Sequence, residues 1–265
     1  MKYGAMNFPV IPVLEELEAI SMMRFDYMEL TLDPPQAHYR VIERQAEALL
    51  KSLDQYGMSL VCHLPTFVST ADLTDSIRRA SLEETLKSLE LAAELRAMKA
   101  VLHPSIIRGM GVFVMDRARE NAMNSLEIIV KKSDELGMHL CLENMFPQSN
   151  SLVDPDDFVE VFDRFPSLKM TLDTGHANME SKGSYKIIEF IERFADRIFH
   201  VHANDNLGKE DNHLPLGTGT IDFPRVVKAL KEAGYQETVT LEVFSRDRDY
   251  LSMSRDKIAS MFKDL

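Results

Sequence analysis

The most informative segment of the chain is IFHVHANDNLGKEDNH, residues 198–213. It begins as an apolar strand and ends in a loop that is crowded with imidazole and carboxylate groups. His200 and His202 are two residues apart, so both side chains point to the same face of an extended strand. Asp211 and His213 form a second carboxylate–imidazole pair. Three interpretations are open: a solvated charged loop, a set of core histidines, or one wall of a metal site.

Seven further apolar runs, each rich in strand-forming residues, resemble the start of this segment. They are residues 2–6, 27–32, 59–65, 99–105, 139–145, 169–174 and 238–244. Helical spacing of apolar residues fills the intervals, most clearly in 74–97. The other helical segments are 12–23, 41–55, 114–136, 155–164, 184–195, 222–233 and 251–263. This alternation predicts an α/β protein, a single (β/α)8 TIM barrel over residues 1–265, with a doubly wound sheet as the alternative.

The composition of the chain limits the classes of protein to which it can belong. With 265 residues and 45% hydrophobic residues it is large enough for one such barrel. Two cysteines, Cys62 and Cys141, are too few for a disulfide framework and indicate a reducing compartment. We find no signal peptide and no apolar run long enough to cross a membrane, so we expect a cytoplasmic protein. The net charge of −12 argues against nucleic acid as a partner without excluding it.

Acids and histidines stand at the carboxyl ends of six of the predicted strands. They are His63, His103, Glu143, Asp173, His202 and Glu242. A lone histidine after an apolar run is more often structural than a ligand, but strand ends converge on one face of a barrel. So many buried carboxylates need cations to neutralise them, so the pattern predicts bound divalent metal ions. Asp173 and His176, in DTGH, have a spacing that can place both side chains at one site.

Several nearby residues receive a less specific interpretation. We expect His200 to lie deeper in the barrel than His202, and Asp205 and Glu210 to be solvated loop charges. The glycines of Gly217–Gly219 allow a tight turn, and their backbone could also bind a phosphate. Cys141 is interpreted as a small buried apolar residue and not as a nucleophile.

Four motifs give the chain a resemblance to a known family. They are LENM (142–145), TLDTGHAN (171–178), HVHANDNLGKEDNHLPLGTGTIDF (200–223) and LEVF (241–244). Over essentially its whole length the chain resembles the xylose isomerase-like TIM-barrel superfamily, which contains sugar isomerases and epimerases together with the endonuclease IV family. The third motif is most similar to the sugar phosphate isomerase/epimerase branch.

The resemblance implies roles for individual residues. In epimerase-like members, one divalent ion is held by residues that match Glu143, Asp173, His202 and Glu242. The two glutamates also act as acid and base, and the residue that matches His176 contacts the substrate. In endonuclease IV, a trinuclear zinc cluster uses those four residues and the ones that match His63, His103, His176, Asp211 and His213.

The sequence departs from both patterns in the loop after the seventh strand. Ketohexose epimerases carry an arginine there, where this chain has Gly208 and Lys209, so Lys209 is a candidate substrate contact together with His63 and His176. Endonuclease IV usually shows Asp-Arg-His, whereas this chain has an asparagine at position 212.

The resulting function is a metal-dependent isomerase or epimerase that moves a proton on a small sugar substrate through an enediolate. One alternative is an endonuclease IV-like zinc-dependent phosphodiesterase at abasic DNA, and a third is a sugar-binding module without turnover. Nitrogen-rich ligands favour zinc or manganese, with one to three ions. The substrate, the choice of metal and the oligomeric state, including a homo-oligomer, stay open.

Overall fold

A computed structural model describes residues 1–181 and 183–264 of the chain. Eight parallel strands close into a barrel in sequence order, each strand pairing with its neighbours in the chain and β1 with β8. The strands are β1 (Lys2–Met6), β2 (Tyr27–Thr31), β3 (Ser59–His63), β4 (Ala100–Leu102), β5 (Leu140–Glu143), β6 (Lys169–Asp173), β7 (Ile198–Ala203) and β8 (Thr238–Leu241). The predicted (β/α)8 barrel is confirmed, and the closed sheet excludes the doubly wound alternative.

Helices surround the barrel. They are α1 (Val13–Met22), α2 (Tyr39–Glu43), α3 (Ala46–Tyr56), α4 (Asp75–Glu94), α5 (Met115–Leu136), α6 (Asp157–Arg164), α7 (Thr174–Asn178), α8 (Tyr185–Phe194), α9 (Phe223–Glu232) and α10 (Asp249–Asp264). Short 3₁₀ turns occupy Gly109–Phe113 and Pro147–Ser149. Within the part of the chain that the structure describes, no helix has the length and apolar character of a membrane span.

Two helices differ from the sequence prediction. The helix expected over 41–55 is divided into α2 and α3, because Gln45 leaves the helical conformation and its side-chain amide donates to the carbonyl of Val41. The unpredicted helix α7 begins directly after β6. The carboxylate of Asp173 caps it by accepting a hydrogen bond from the backbone N–H of His176 at 2.6 Å.

The apolar core lies between the outer faces of the strands and the inner faces of the helices. Phe158 and Phe162 of α6, for example, pack against Phe194 of α8 with ring centroids 6.2 and 5.2 Å apart. Burial of apolar surface in this layer is the main term that stabilises the barrel. The rigid layer fixes the carboxyl ends of the strands, and therefore the side chains that stand there.

Candidate metal centre

The six acids and histidines predicted at strand ends converge at the carboxyl end of the barrel, around the buried carboxylate of Glu143. Its Oε2 lies 3.5 Å from His63 Nε2 and 3.1 Å from His103 Nε2. Its Oε1 lies 3.3 Å from both His176 Nδ1 and His202 Nδ1. Residues that are far apart in the sequence therefore meet at one carboxylate.

Three carboxylates surround the imidazole of His202. The Nδ1 atom of this imidazole is 3.3 Å from Glu143 Oε1, 3.3 Å from Glu242 Oε1 and 3.8 Å from Asp173 Oδ2. Strand register explains the meeting, because Asp173 pairs with His202 between β6 and β7, and Glu242 directly follows β8. His202 and Asp173 are completely buried, and Glu143 and Glu242 almost so.

The loop after β7 adds a third cluster. Asp211 Oδ2 lies 3.3 Å from His176 Nε2 and 3.0 Å from His213 Nε2. His213 Nδ1 is 3.7 Å from Glu242 Oε2, which connects the loop to the barrel. All nine residues that the sequence singled out as possible ligands are thus brought together in space.

Backbone carbonyls fix the orientation of three imidazoles. Nδ1 of His63 donates to the carbonyl of Leu64 at 2.8 Å, and Nδ1 of His176 donates to that of Asn144 at 2.9 Å. His213 does the same to the carbonyl of Glu242 at 3.1 Å. The Nδ1–H···O=C hydrogen bond is the outer-sphere contact that orients a metal ligand, and in the neutral ring it leaves the Nε2 lone pair available to a cation.

The donor set fits a divalent cation. Both carboxylate oxygens of Glu143 and Nδ1 of His202 are buried and have no hydrogen-bond partner within residues 1–181 and 183–264. Two groups that contain Glu143 place their ligand atoms within 4.8 Å of one another: His63–His103–Glu143 and Glu143–Asp173–His202. Buried charges of this kind are costly unless they are paired or coordinate metal. Mixed imidazole and carboxylate ligands suit zinc, manganese or iron.

The two glutamates of the centre differ in acidity when no metal is bound. Burial alone would raise the pKa of Glu143, but the imidazoles of His103 and His202 outweigh it and hold this pKa well below its ordinary range. For Glu242, burial raises the pKa to about 7 against the opposing effect of His202, and Asp173 adds to the increase. Near neutral pH one carboxyl is ionised while the other is poised between its two forms.

Two histidines of the loop cluster are strongly basic in the metal-free protein. Burial would lower the pKa of His213, but Asp211 and Glu242 outweigh it and raise this pKa to about 9. His176 shows the same balance, with Asp173 and Asp211 raising its pKa well above the ordinary value. Protonated imidazoles thus neutralise the carboxylates where a bound cation would otherwise do so.

Asp205 corrects the sequence interpretation. It was predicted to be a solvated loop charge, but it is completely buried. Its carboxylate accepts hydrogen bonds from the backbone N–H groups of Gly217 and Gly219, both at 2.9 Å, and of Ile221 at 3.2 Å. The N–H groups that a phosphate would require therefore already donate to Asp205. These hydrogen bonds fix the glycine turn to the start of the loop, and we call this the clamp role of Asp205. Glu210 is exposed, as expected.

Glu29 is the buried residue that sequence reasoning missed. It lies in the middle of β2, completely buried, with Oε1 3.0 Å from His202 Nε2 and Oε2 2.9 Å from His200 Nε2. His200 lies beneath His202, and its Nδ1 contacts the Thr238 hydroxyl at 2.6 Å. The available signal was a carboxylate in the centre of the otherwise uncharged run YMELTL.

Other candidates lie outside the cluster. Lys209 is exposed on the loop, and among the described residues no hydrogen bond or ion pair connects it to the nine ligands. Cys62 and Cys141 are buried free thiols. Burial raises the pKa of Cys141 to about 12, so its thiol stays protonated at neutral pH and is a poor nucleophile.

Comparison with known proteins agrees with this architecture. A solved structure described as a D-tagatose 3-epimerase-like protein superposes with a TM-score of 0.89 and 25% identity, over 100% of this chain and 98% of that one. Fructoselysine 3-epimerase of Escherichia coli O157:H7 is 21% identical over 88% of this chain and 86% of its own length. A probable endonuclease 4 of Mycobacterium leprae is 24% identical over 83% of this chain and 86% of its own.

The family model described as "Xylose isomerase-like TIM barrel" matches residues 17–263, nearly the whole chain. The match includes strands β2 to β8 and every residue of the nine-ligand cluster. The chain therefore belongs to the xylose isomerase-like TIM barrel family.

Proposed function

We propose that the protein is a divalent-metal-dependent sugar epimerase or isomerase that transfers a proton next to a carbonyl group. The observation that carries this proposal is the placement of Glu143 Oε1 and Glu242 Oε1, each 3.3 Å from His202 Nδ1. Two carboxyl groups at one site are what proton removal and proton donation require. The sugar epimerases among the relatives support the substrate class.

The residues of the centre would have different roles in such a reaction. Glu143, Asp173, His202 and Glu242 would hold the ion. A bound divalent ion supplies a Lewis acid that polarises the substrate carbonyl. One of the two glutamates, as carboxylate, removes the proton from the adjacent carbon, and the other, as carboxylic acid, donates its own proton to the opposite face of the enediolate. His176, His63 and Lys209 would contact substrate oxygens, as the family resemblance implies for His176.

The test of this proposal uses Glu242→Gln with Glu210→Gln as the matched control. Glu210 is an exposed glutamate of the neighbouring loop. The metal content of each protein is measured first, and a panel of ketoses is then incubated in D₂O. We expect deuterium at the carbon next to the carbonyl with the wild type and with Glu210→Gln. Loss of a positioned acid or base lowers the rate by about 10²–10⁴-fold, and we expect this for Glu242→Gln. Unchanged exchange by metal-loaded Glu242→Gln would refute the assignment.

A second function is favoured by one observation: the cluster contains more ligands than a single ion needs. His63 and His103 join Glu143 on one side, while Asp211 and His213 join His176 on the other. This supports up to three ions and an endonuclease 4-like hydrolysis of abasic DNA, although the net charge of −12 opposes binding to DNA.

Elemental analysis and a nicking assay on abasic duplex DNA separate these functions. About three zinc ions per chain together with strand cleavage would favour the nuclease. Deuterium incorporation into a ketose without cleavage would favour the epimerase. Sugar binding with neither reaction would indicate a binding module. For the metal we propose zinc or manganese, one to three ions per chain, on the basis of the mixed imidazole and carboxylate ligands.

A further inference from the structure

We infer that Glu29 is a positioning residue that fixes the ring orientation and the tautomer of His202 for metal binding. The inference rests on the metal site proposed above. It assigns a role to a buried carboxylate that lies beneath the ligand cluster and whose side chain is not one of the nine ligands.

The carboxylate of Glu29 accepts hydrogen bonds from three side chains of β7 and β8. His202 Nε2 approaches Oε1 at 3.0 Å and His200 Nε2 approaches Oε2 at 2.9 Å. The hydroxyl of Thr240 donates a further short hydrogen bond to Oε2. Both oxygens of Glu29 are approached by imidazole or hydroxyl donors, so the carboxylate is the acceptor in each of these contacts.

The donor role of Nε2 determines the state of His202. Because Nε2 carries the hydrogen that Glu29 accepts, Nδ1 of the neutral ring has a free lone pair. Nδ1 faces the carboxylates of Glu143, Asp173 and Glu242 and has no hydrogen-bond partner among the described residues. A carboxylate that receives the second ring hydrogen of a ligating histidine orients the ring and increases its basicity.

The surrounding hydroxyls hold this arrangement in place. The Tyr27 hydroxyl lies 2.8 Å from the hydroxyl of Thr240, and the hydroxyl of Thr240 in turn contacts Glu29. The hydroxyl of Thr238 lies 2.6 Å from His200 Nδ1, so this nitrogen accepts the hydroxyl hydrogen while Nε2 of the same ring donates to Glu29. Every donated hydrogen in this hydrogen-bond network then has one acceptor, which leaves little freedom for the His202 ring to rotate.

An alternative is that Glu29 itself binds a cation, because Glu29, His200 and His202 also lie close enough together to do so. The contacts argue against it. Both imidazole nitrogens that face Glu29 stand at ordinary hydrogen-bond distances from its oxygens, so each contact is filled by a hydrogen. A cation would have to displace both of these hydrogens and the hydrogen bond from Thr240.

The test compares Glu29→Gln with Glu16→Gln. Glu16 is an equally buried glutamate in α1, whose carboxylate pairs with Arg248 at 2.6 Å outside the centre. Zinc affinity and stoichiometry are measured on each metal-free protein by competition with a chromophoric chelator, after thermal unfolding has shown that each one is folded. We expect Glu29→Gln to bind the same number of ions about 10–100-fold more weakly. Glu16→Gln should differ from the wild type by less than about twofold in affinity, the scatter expected of a residue that touches no ligand.

The outcomes separate this inference from the proposed function. Equal affinity of Glu29→Gln and the wild type would overturn the inference alone. Loss of one ion with unchanged affinity for the others would also overturn it, because Glu29 would then be a ligand. A wild type that takes up no zinc or manganese would overturn both proposals. If Glu29→Gln does not fold, Thr240→Val decides instead, because it removes one donor to Glu29; unchanged zinc affinity in Thr240→Val would refute the inference.

Discussion

Replacement of Asp205 by asparagine tests how the loop that carries Asp211 and His213 is held. The two carboxylate oxygens of Asp205 share four backbone N–H donors: Oδ1 accepts from residues 206 and 221, and Oδ2 from residues 217 and 219. An asparagine has only one acceptor oxygen, so two of these N–H groups lose their partner: the buried pair of residues 206 and 221 or the part-buried pair of residues 217 and 219. Loss of a buried partner costs about 1–3 kcal/mol and of a part-buried one less, so we expect the free energy of unfolding to fall by about 1–6 kcal/mol.

Urea denaturation of Asp205→Asn, with Glu210→Gln on the same loop as the control, measures this change. The loop should also hold Asp211 and His213 less firmly, so zinc should be lost from the His176–Asp211–His213 cluster before it is lost from Glu143. A variant that unfolds within about 0.5 kcal/mol of the wild type, the range of ordinary surface substitutions, would refute the clamp role of Asp205.

Three further predictions follow from the same contacts. Because the pKa of His213 is about 9 in the metal-free protein, zinc uptake at pH 7.5 should release its proton, and the apparent affinity for zinc should rise up to about pH 9. Calorimetry in two buffers of different ionisation enthalpy measures the proton release. His200 stays neutral in the folded protein down to about pH 4, but its imidazole is protonated near pH 6.5 in the unfolded chain. Lowering the pH through this window should therefore reduce the free energy of unfolding by up to about 3 kcal/mol. Urea titrations at several pH values measure this dependence, and His200→Gln should lack it. In Gly175→Ala the added Cβ would lie 1.9 Å from Asn204 Oδ1, so we expect lower thermal stability and weaker zinc binding.

The sequence predicts the barrel and most of the ligand cluster because both depend on local patterns. Each strand is an apolar run, and barrel closure alone brings the ends of such runs together, so residues such as Glu143 and His202 can be recognised without knowledge of their partners. Asp205 could not be interpreted in this way, because three of its four donors are backbone groups 12–16 residues further along the chain.

Glu29 was missed for a related reason. Its position in the middle of β2 gives no indication of its partners, which belong to β7 and β8 and meet it only across the interior of the closed barrel. The split between α2 and α3 escaped prediction because the apolar spacing continues through Gln45, while the break depends on the backbone conformation of that one residue.

The carboxylate of Glu143 belongs to two ligand groups at once, one with His63 and His103 and the other with Asp173 and His202. Ions seated on both sides of one carboxylate repel each other and compete for the same negative charge. If ions were bound in both groups, they would therefore be taken up one after the other, and the second would bind more weakly. A limited supply of metal would then fill one group of ligands before the other.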